Sequence, residues 1–288
     1  MLRPVADQQV LRGKAATLTV TWVGGDGEPV SAPSPVTVSV VGSDGLTVTT
    51  GAAASVGNTS TFGLTAAETA QLDLLTATWI ATGASQTTNV EIVGGYYFTA
   101  TEARAGDSAL SDTGKYPDSR LLARRAQVEA EIEMAADVAF VPRFSVVTIE
   151  GNGTNEIVGP AMPRALRWAT INYGAATRYL TVSETAGLQM ERSGEISLLS
   201  GSWPEHALVT IGLEHGHDRP PHKIRDAAIT LLRVRMNTGT SNFPDRAERY
   251  QAVEGGTMYL SMPGAYKIGI PEVDAAIATY GVRVPAVA

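Results

Sequence analysis

Val209-Thr-Ile-Gly-Leu-Glu-His-Gly-His-Asp-Arg-Pro-Pro-His-Lys-Ile-Arg-Asp-Ala-Ala228 is the stretch whose reading decides the architecture. Val209, Ile211 and Leu213 alternate with polar or small residues, the period-two pattern of a strand with one buried face. His215-Gly216 reads as a tight turn. Pro220-Pro221 then opens a helix, where a missing N–H costs nothing because a first helical turn has no partner for it. Behind the prolines, Ile224, Ala228, Leu231 and Leu232 recur at the spacing of one buried helical face. The segment is a structural joint built on His215, Gly216, Pro220 and Pro221, delivering a strand straight into a helix. It has none of the marks of a catalytic centre.

Working outward, the 288 residues suffice for one large or two medium domains. Hydrophobic residues make up 44% and charged residues 18%, ordinary values for a folded chain. No apolar run approaches the roughly 18 residues of a membrane-spanning helix, so no membrane association is expected. The opening Met-Leu-Arg-Pro-Val lacks the charged-then-apolar pattern of a secretory leader, and export by that route is not expected. Cysteine is absent, which excludes disulfides, thiol chemistry and cysteine-based metal centres. A net charge of −7 disfavours gathering nucleic acid over the surface as a whole.

Up to about Gly95 the chain is rich in Thr, Ser, Val, Gly and Ala. Alternation appears at Thr17–Trp22, Val36–Val40, Leu46–Thr49, Ala77–Ile80 and Thr88–Ile92, separated by turn signals such as Asp44-Gly45. Evenly spaced short strands predict an immunoglobulin-like β-sandwich over residues 1–94, without a disulfide. Gly94-Gly95 reads as the hinge to a second domain, 96–288. There Thr99 and Thr101 can cap a short helix, and Pro117-Asp118 opens a long one running to about Phe140, with Leu121, Leu122, Val128 and Ile132 in its apolar stripe. A β-rich insertion follows at about 143–213, with Gly151-Asn152-Gly153 as a hairpin turn between Ser145–Glu150 and Glu156–Val158. A helix over about Pro221–Asn237 and a last one over Pro271–Tyr280 close the chain. The expected class is therefore multidomain α+β: a β-sandwich followed by a helical domain with a β insertion.

The ordered set formed by the opening helical pair, Trp203-Pro204, the strand Val209–Leu213, His215-Gly216, Pro220-Pro221 and Gly269-Ile270-Pro271-Glu272-Val273-Asp274 resembles the head–tail adaptor (connector, head completion) proteins of tailed bacteriophages. The resemblance covers roughly residues 96–280. It implies a structural virion protein at the neck, assembled in the host cytoplasm, forming a ring of about twelve copies. Such a ring joins the portal protein to a tail terminator or stopper and continues the DNA channel without sequence-specific binding. The resemblance also places the portal contact at the C-terminal end, on Ile270, Val273, Ile277, Val282 and Val284. His217 stands where the family usually has an aromatic residue, and the N-terminal sandwich is an addition that many relatives lack.

The residues admit few other chemistries. His215, His217 and His222, with Glu214 and Asp218, have metal-ligand side chains, but Gly216 breaks the strand geometry that would align them, and no metal or other cofactor is expected. No nucleophile elbow accompanies them, so no enzymatic activity is expected. On the long helix, Arg120, Arg124 and Arg125 precede Glu129 and Glu133, a sequence of basic then acidic side chains suited to contacts between subunits. A different class remains open, a β-rich surface-binding component of a phage tail, an adhesin or carbohydrate-binding module. It needs an exposed aromatic cluster near Trp22 or Trp79.

Overall fold

A computed structural model describes residues 6–174, 176–237, 249–251, 257–259 and 268–281. The first strands are β1 (Gln8–Leu11), β2 (Ala16–Thr21), β3 (Val36–Val41), β4 (Thr47–Val56), β5 (Thr59–Leu64), β6 (Asp73–Ala81) and β7 (Ala84–Val93). Helices α1 (Ala100–Gly106) and α2 (Asp118–Ala136) follow, with a 3-10 turn at Ser108–Leu110 between them. Then come β8 (Arg143–Glu150), β9 (Glu156–Val158), β10 (Pro163–Asn172), β11 (Thr177–Tyr179), α3 (Val182–Ala186), β12 (Leu188–Met190), β13 (Glu195–Leu198) and β14 (Leu208–His215). The chain continues through α4 (His222–Asn237), β15 (Arg249–Gln251), β16 (Thr257–Tyr259) and α5 (Pro271–Tyr280).

Two compact units divide these elements: residues 1–95 with 141–218, and residues 96–140 with 219–288. A break falls beside Gly94-Gly95, but the β insertion groups with the N-terminal strands rather than with the helices.

In the first unit, β1 to β7 form one sheet in the order β1-β7-β6-β3-β4-β5-β2. It is barrel-like and nearly closed, and the described residues are 38% strand against 24% helix. This overturns the expectation of an immunoglobulin-like sandwich followed by a helical adaptor domain. The reason lies in β4. Its first residues pair with β3 (Val41↔Thr47 through Val36↔Ala53) and its last with β5 (Ala54↔Thr61 through Val56↔Thr59). One long strand thereby fuses what would be two sheets. Period-two alternation reads identically in a sandwich and a curled sheet, because both point every second side chain inward. The enclosed core gathers Leu18, Val20, Trp22, Val38, Val40, Leu75, Ala77, Trp79, Val90 and Ile92. Each buried indole N–H finds a hydroxyl: Trp22 donates to Ser60 at 2.8 Å and Trp79 to Thr88 at 3.1 Å.

The rest of this unit is a four-stranded sheet, β11-β10-β14-β8, and a three-stranded one, β12-β13-β9. Val147, Ile171, Val209, Ile211 and Leu213 of the first share a core with Ile157 and Ile196 of the second and with Trp203. The expected hairpin around Gly151-Asn152-Gly153 does not form, since β8 pairs with β14 and β9 with β13. Gly151 instead packs so tightly that a Cβ there would lie 2.1 Å from the Pro204 carbonyl oxygen. Asn-Gly specifies a tight turn but not which strands flank it.

Strands β6 and β7 meet β8. At that seam Arg143, fully buried, lies 3.6 Å from the equally buried Glu91, whose carboxylate also accepts from Gln9 Nε2 at 3.0 Å. The Gly94 N–H donates to the Pro142 carbonyl, and a Cβ on Gly94 would come within 2.5 Å of the Pro142 ring.

In the second unit α2, α4 and α5 pack against one another, and α1 touches α2 and α4. The buried set includes Leu121, Val128 and Ile132 from α2, Ile224, Leu231 and Leu232 from α4, and Val273 and Ile277 from α5. Each such side chain contributes roughly 1.5–3 kcal/mol by leaving water. Helix α2 starts as expected but ends at Ala136, where Asp137 turns left-handed (φ 54°). Its Glu129, fully buried, accepts from the Tyr97 N–H at 2.8 Å. Arg125 stacks 3.5 Å from the Tyr96 ring centroid and donates to the Phe98 carbonyl at 3.2 Å.

Removing one partner of the buried Glu91–Arg143 pair should cost far more than removing both. Glu91→Ala is expected to lower unfolding free energy by about 3–5 kcal/mol. The combined Glu91→Leu and Arg143→Met change should cost clearly less, read by urea denaturation followed by tryptophan fluorescence. Equal losses in the two variants would contradict this account of the seam.

Candidate functional site

Strand β14 ends at His215, Gly216 follows it at φ 99°, and α4 starts directly after Pro220-Pro221. Ile224 and Arg225 donate their backbone N–H groups to the Pro221 carbonyl at 3.0 Å each. On the side of the first unit, His215 is buried, and its Nε2 lies 2.8 Å from Ser145 Oγ. The pairing explains the contact: Ser145 faces Leu213 and Arg143 faces His215, so Ser145 and His215 are diagonal neighbours on one sheet face.

Two arginines of β10 fasten the same end. Arg164 meets Asp218 at 2.6 Å, and Arg167 meets Glu214 at 2.7 Å. The Gly216 N–H donates to the Met162 carbonyl at 2.8 Å, and the Met162 N–H to the Arg192 carbonyl at 2.9 Å. Met162 itself is left-handed (φ 59°). That conformation is costly for a residue with a Cβ and is held by these surrounding bonds. Sequence reasoning did not find Arg164, Arg167 or Met162. Only the β10–β14 register brings them to the joint.

His217 is half-buried, and its pKa lies below the ordinary 6.5 because burial disfavours the imidazolium, with Arg192 and Arg164 adding to the effect against Asp218. His222 belongs to the second unit, where its Nδ1 lies 2.8 Å from Asp226 one helical turn on. Among the described residues no group of three or more His, Asp or Glu side chains could hold a metal ion. Within the first unit, the end of β14 is held by ion pairs and a serine–histidine hydrogen bond.

The charged residues of α2 divide. Arg120 is exposed, Arg124 and Glu133 are half-buried, and Arg125 and Glu129 lie inside their unit. Arg124 donates to Gln127, and Glu133 accepts from the Tyr97 hydroxyl at 3.2 Å. Of the C-terminal residues, Ile270 is half-buried and Val273 and Ile277 are buried against the other helices, while Val282 and Val284 lie outside the described residues. Trp22 and Trp79 are buried, which removes the aromatic platform that a surface-binding module would need there.

Elsewhere in the first unit a cleft of about 480 Å³ lies between β10–β11, α3 and the loop Leu199–Pro204. Tyr173 and Leu199 line it and are exposed, and Arg178 and Glu184, also in its lining, are paired. Among the described residues no helix is long and apolar enough to cross a membrane. No family model matches the chain, and no curated protein matches it.

Because His217 takes up a proton less readily folded than unfolded, the unfolded state binds the proton first as pH falls. Stability is therefore lost as pH drops through 6.5, the ordinary value, toward the folded pKa. His217→Tyr should fold and should flatten the fall in unfolding free energy between about pH 7 and pH 5.5. An unchanged slope in denaturant titrations across that range would show that His217 is not its source.

Proposed function

We propose that the chain is a non-enzymatic structural subunit of a tailed-phage virion, an adaptor that forms a ring beneath the portal and continues the DNA channel toward the tail. One observation carries the reading. Helices α2 and α4, separated in sequence by the whole β insertion, pack together with α5 in one unit. The adaptor resemblance likewise expects helices on either side of a β-rich segment to pack together, which supports the reading, although here that segment groups with the N-terminal strands.

Charge supports the conduit. With 29 acidic against 22 basic residues, a ring of these subunits offers DNA few cations with which to exchange counterions, so the duplex passes without being held. Subunit contacts fall in this reading to the part of the α2 charge pattern that reaches the surface, the exposed Arg120 and the half-buried Arg124 and Glu133. Arg125 and Glu129 serve the interior.

Purified chain mixed with isolated portal should yield a complex whose added mass corresponds to about twelve copies. Negative-stain images should show a ring coaxial with the portal. Absence of any complex, together with normal joining of heads to tails in particles lacking this chain, would overturn the assignment.

A further inference from the structure

The solvent side of α2 carries an apolar ridge whose two ends are exposed among the described residues. Leu122, Ala126, Ala130 and Met134 recur four apart and so line one row of the helix surface, about 18 Å long. Leu122 is 41% and Met134 64% exposed, and the two alanines between them are half-buried. The row reads large, small, small, large from either end.

We propose that a second copy of this chain docks here, its α2 antiparallel to the first across a two-fold axis near residue 128. Three features of the row select that occupant. Reversal about residue 128 sets Leu122 against Met134 and Ala126 against Ala130, so each bulky end meets the other and the small centre allows close approach. Rows of this i, i+4 kind interlock in the commonest class of helix packing. Charge agrees: Arg120 and Arg124 stand at the amino end, Glu131, Glu133 and Asp137 at the carboxyl end. A parallel partner would set like charges together, whereas an antiparallel one sets each basic end against an acidic end.

Within one chain the acidic end is already partly engaged. Arg235 pairs with Glu131, and Tyr97 with Glu133, leaving Asp137 exposed beside them. Arg120, exposed at the opposite end, is the cation best placed to reach that cluster on a second copy. The contact is isologous and closes at two copies. It describes the chain free of portal and does not depend on the adaptor reading. The contact would also occupy the α2 face that a ring uses.

The chain has no cysteine, so single introduced cysteines report the register directly. Sedimentation equilibrium of the full chain up to about 200 µM should show a reversible dimer, weakened about tenfold by Ala130→Glu with no change in the melting temperature measured at dilutions where the chain is monomeric. Under mild oxidation Gln127→Cys, next to the axis, should cross-link to itself. Leu122→Cys and Met134→Cys should each stay uncoupled alone and cross-link when mixed. A monomer at every concentration, or Leu122→Cys coupling to itself as readily as to Met134→Cys, would overturn the proposal. Both measurements omit portal, so either result leaves the portal-binding test to decide the adaptor reading separately.

Discussion

The buried Glu91–Arg143 pair is the constraint on which the first unit depends. Two ionised side chains out of water are tolerable only when each holds the other in place. Glu91 sits on β7 and Arg143 begins β8, so the pair ties strands separated in sequence by two helices. Once Arg143 is fixed, β8 is fixed, and with it the β8–β14–β10 sheet whose inner face closes over Trp203. The adjoining Gly94–Pro142 contact admits no side chain on the glycine and locks the same seam. This is why the β insertion folds with the N-terminal strands although the chain reaches it through the helices.

A second buried arginine–glutamate set plays the matching part in the helical unit. Glu129 receives the Tyr97 N–H, and Arg125 covers the Tyr96 ring and bonds the Phe98 carbonyl. Together they anchor the chain to α2 just where it enters the unit. These two residues look on paper like members of a solvated helix face. Their burial redirects the surface chemistry of α2 to Arg120, Arg124 and the ridge between Leu122 and Met134.

The segment that follows β14 shows how a short sequence signal depends on distant partners. Strand, glycine and proline pair were legible from residues 209–228 because each depends on local geometry. What holds the end of β14 within the first unit is supplied from β10 and its approach: Arg164, Arg167 and the left-handed Met162. An arginine in a strand carries no mark of the partner it will meet some 50 residues later.

The sequence by itself determined where most strands and helices lie, where Asp44-Gly45 turns, that a threonine caps α1, and that Pro117 precedes α2. Each of these rests on periodicity or on backbone preferences within a few residues. Only the tertiary structure decided that β4 joins β3 to β5 in a nearly closed sheet, that β8 and β9 part company at Gly151, and that Arg125 and Glu129 turn inward. Backbone hydrogen bonding is the same for any pair of strands, so alternation cannot say which strands pair. A charged side chain is buried or exposed according to a partner that arrives from elsewhere in the chain. The division of the molecule followed from such long-range pairings, above all Glu91 with Arg143, which no local pattern encodes.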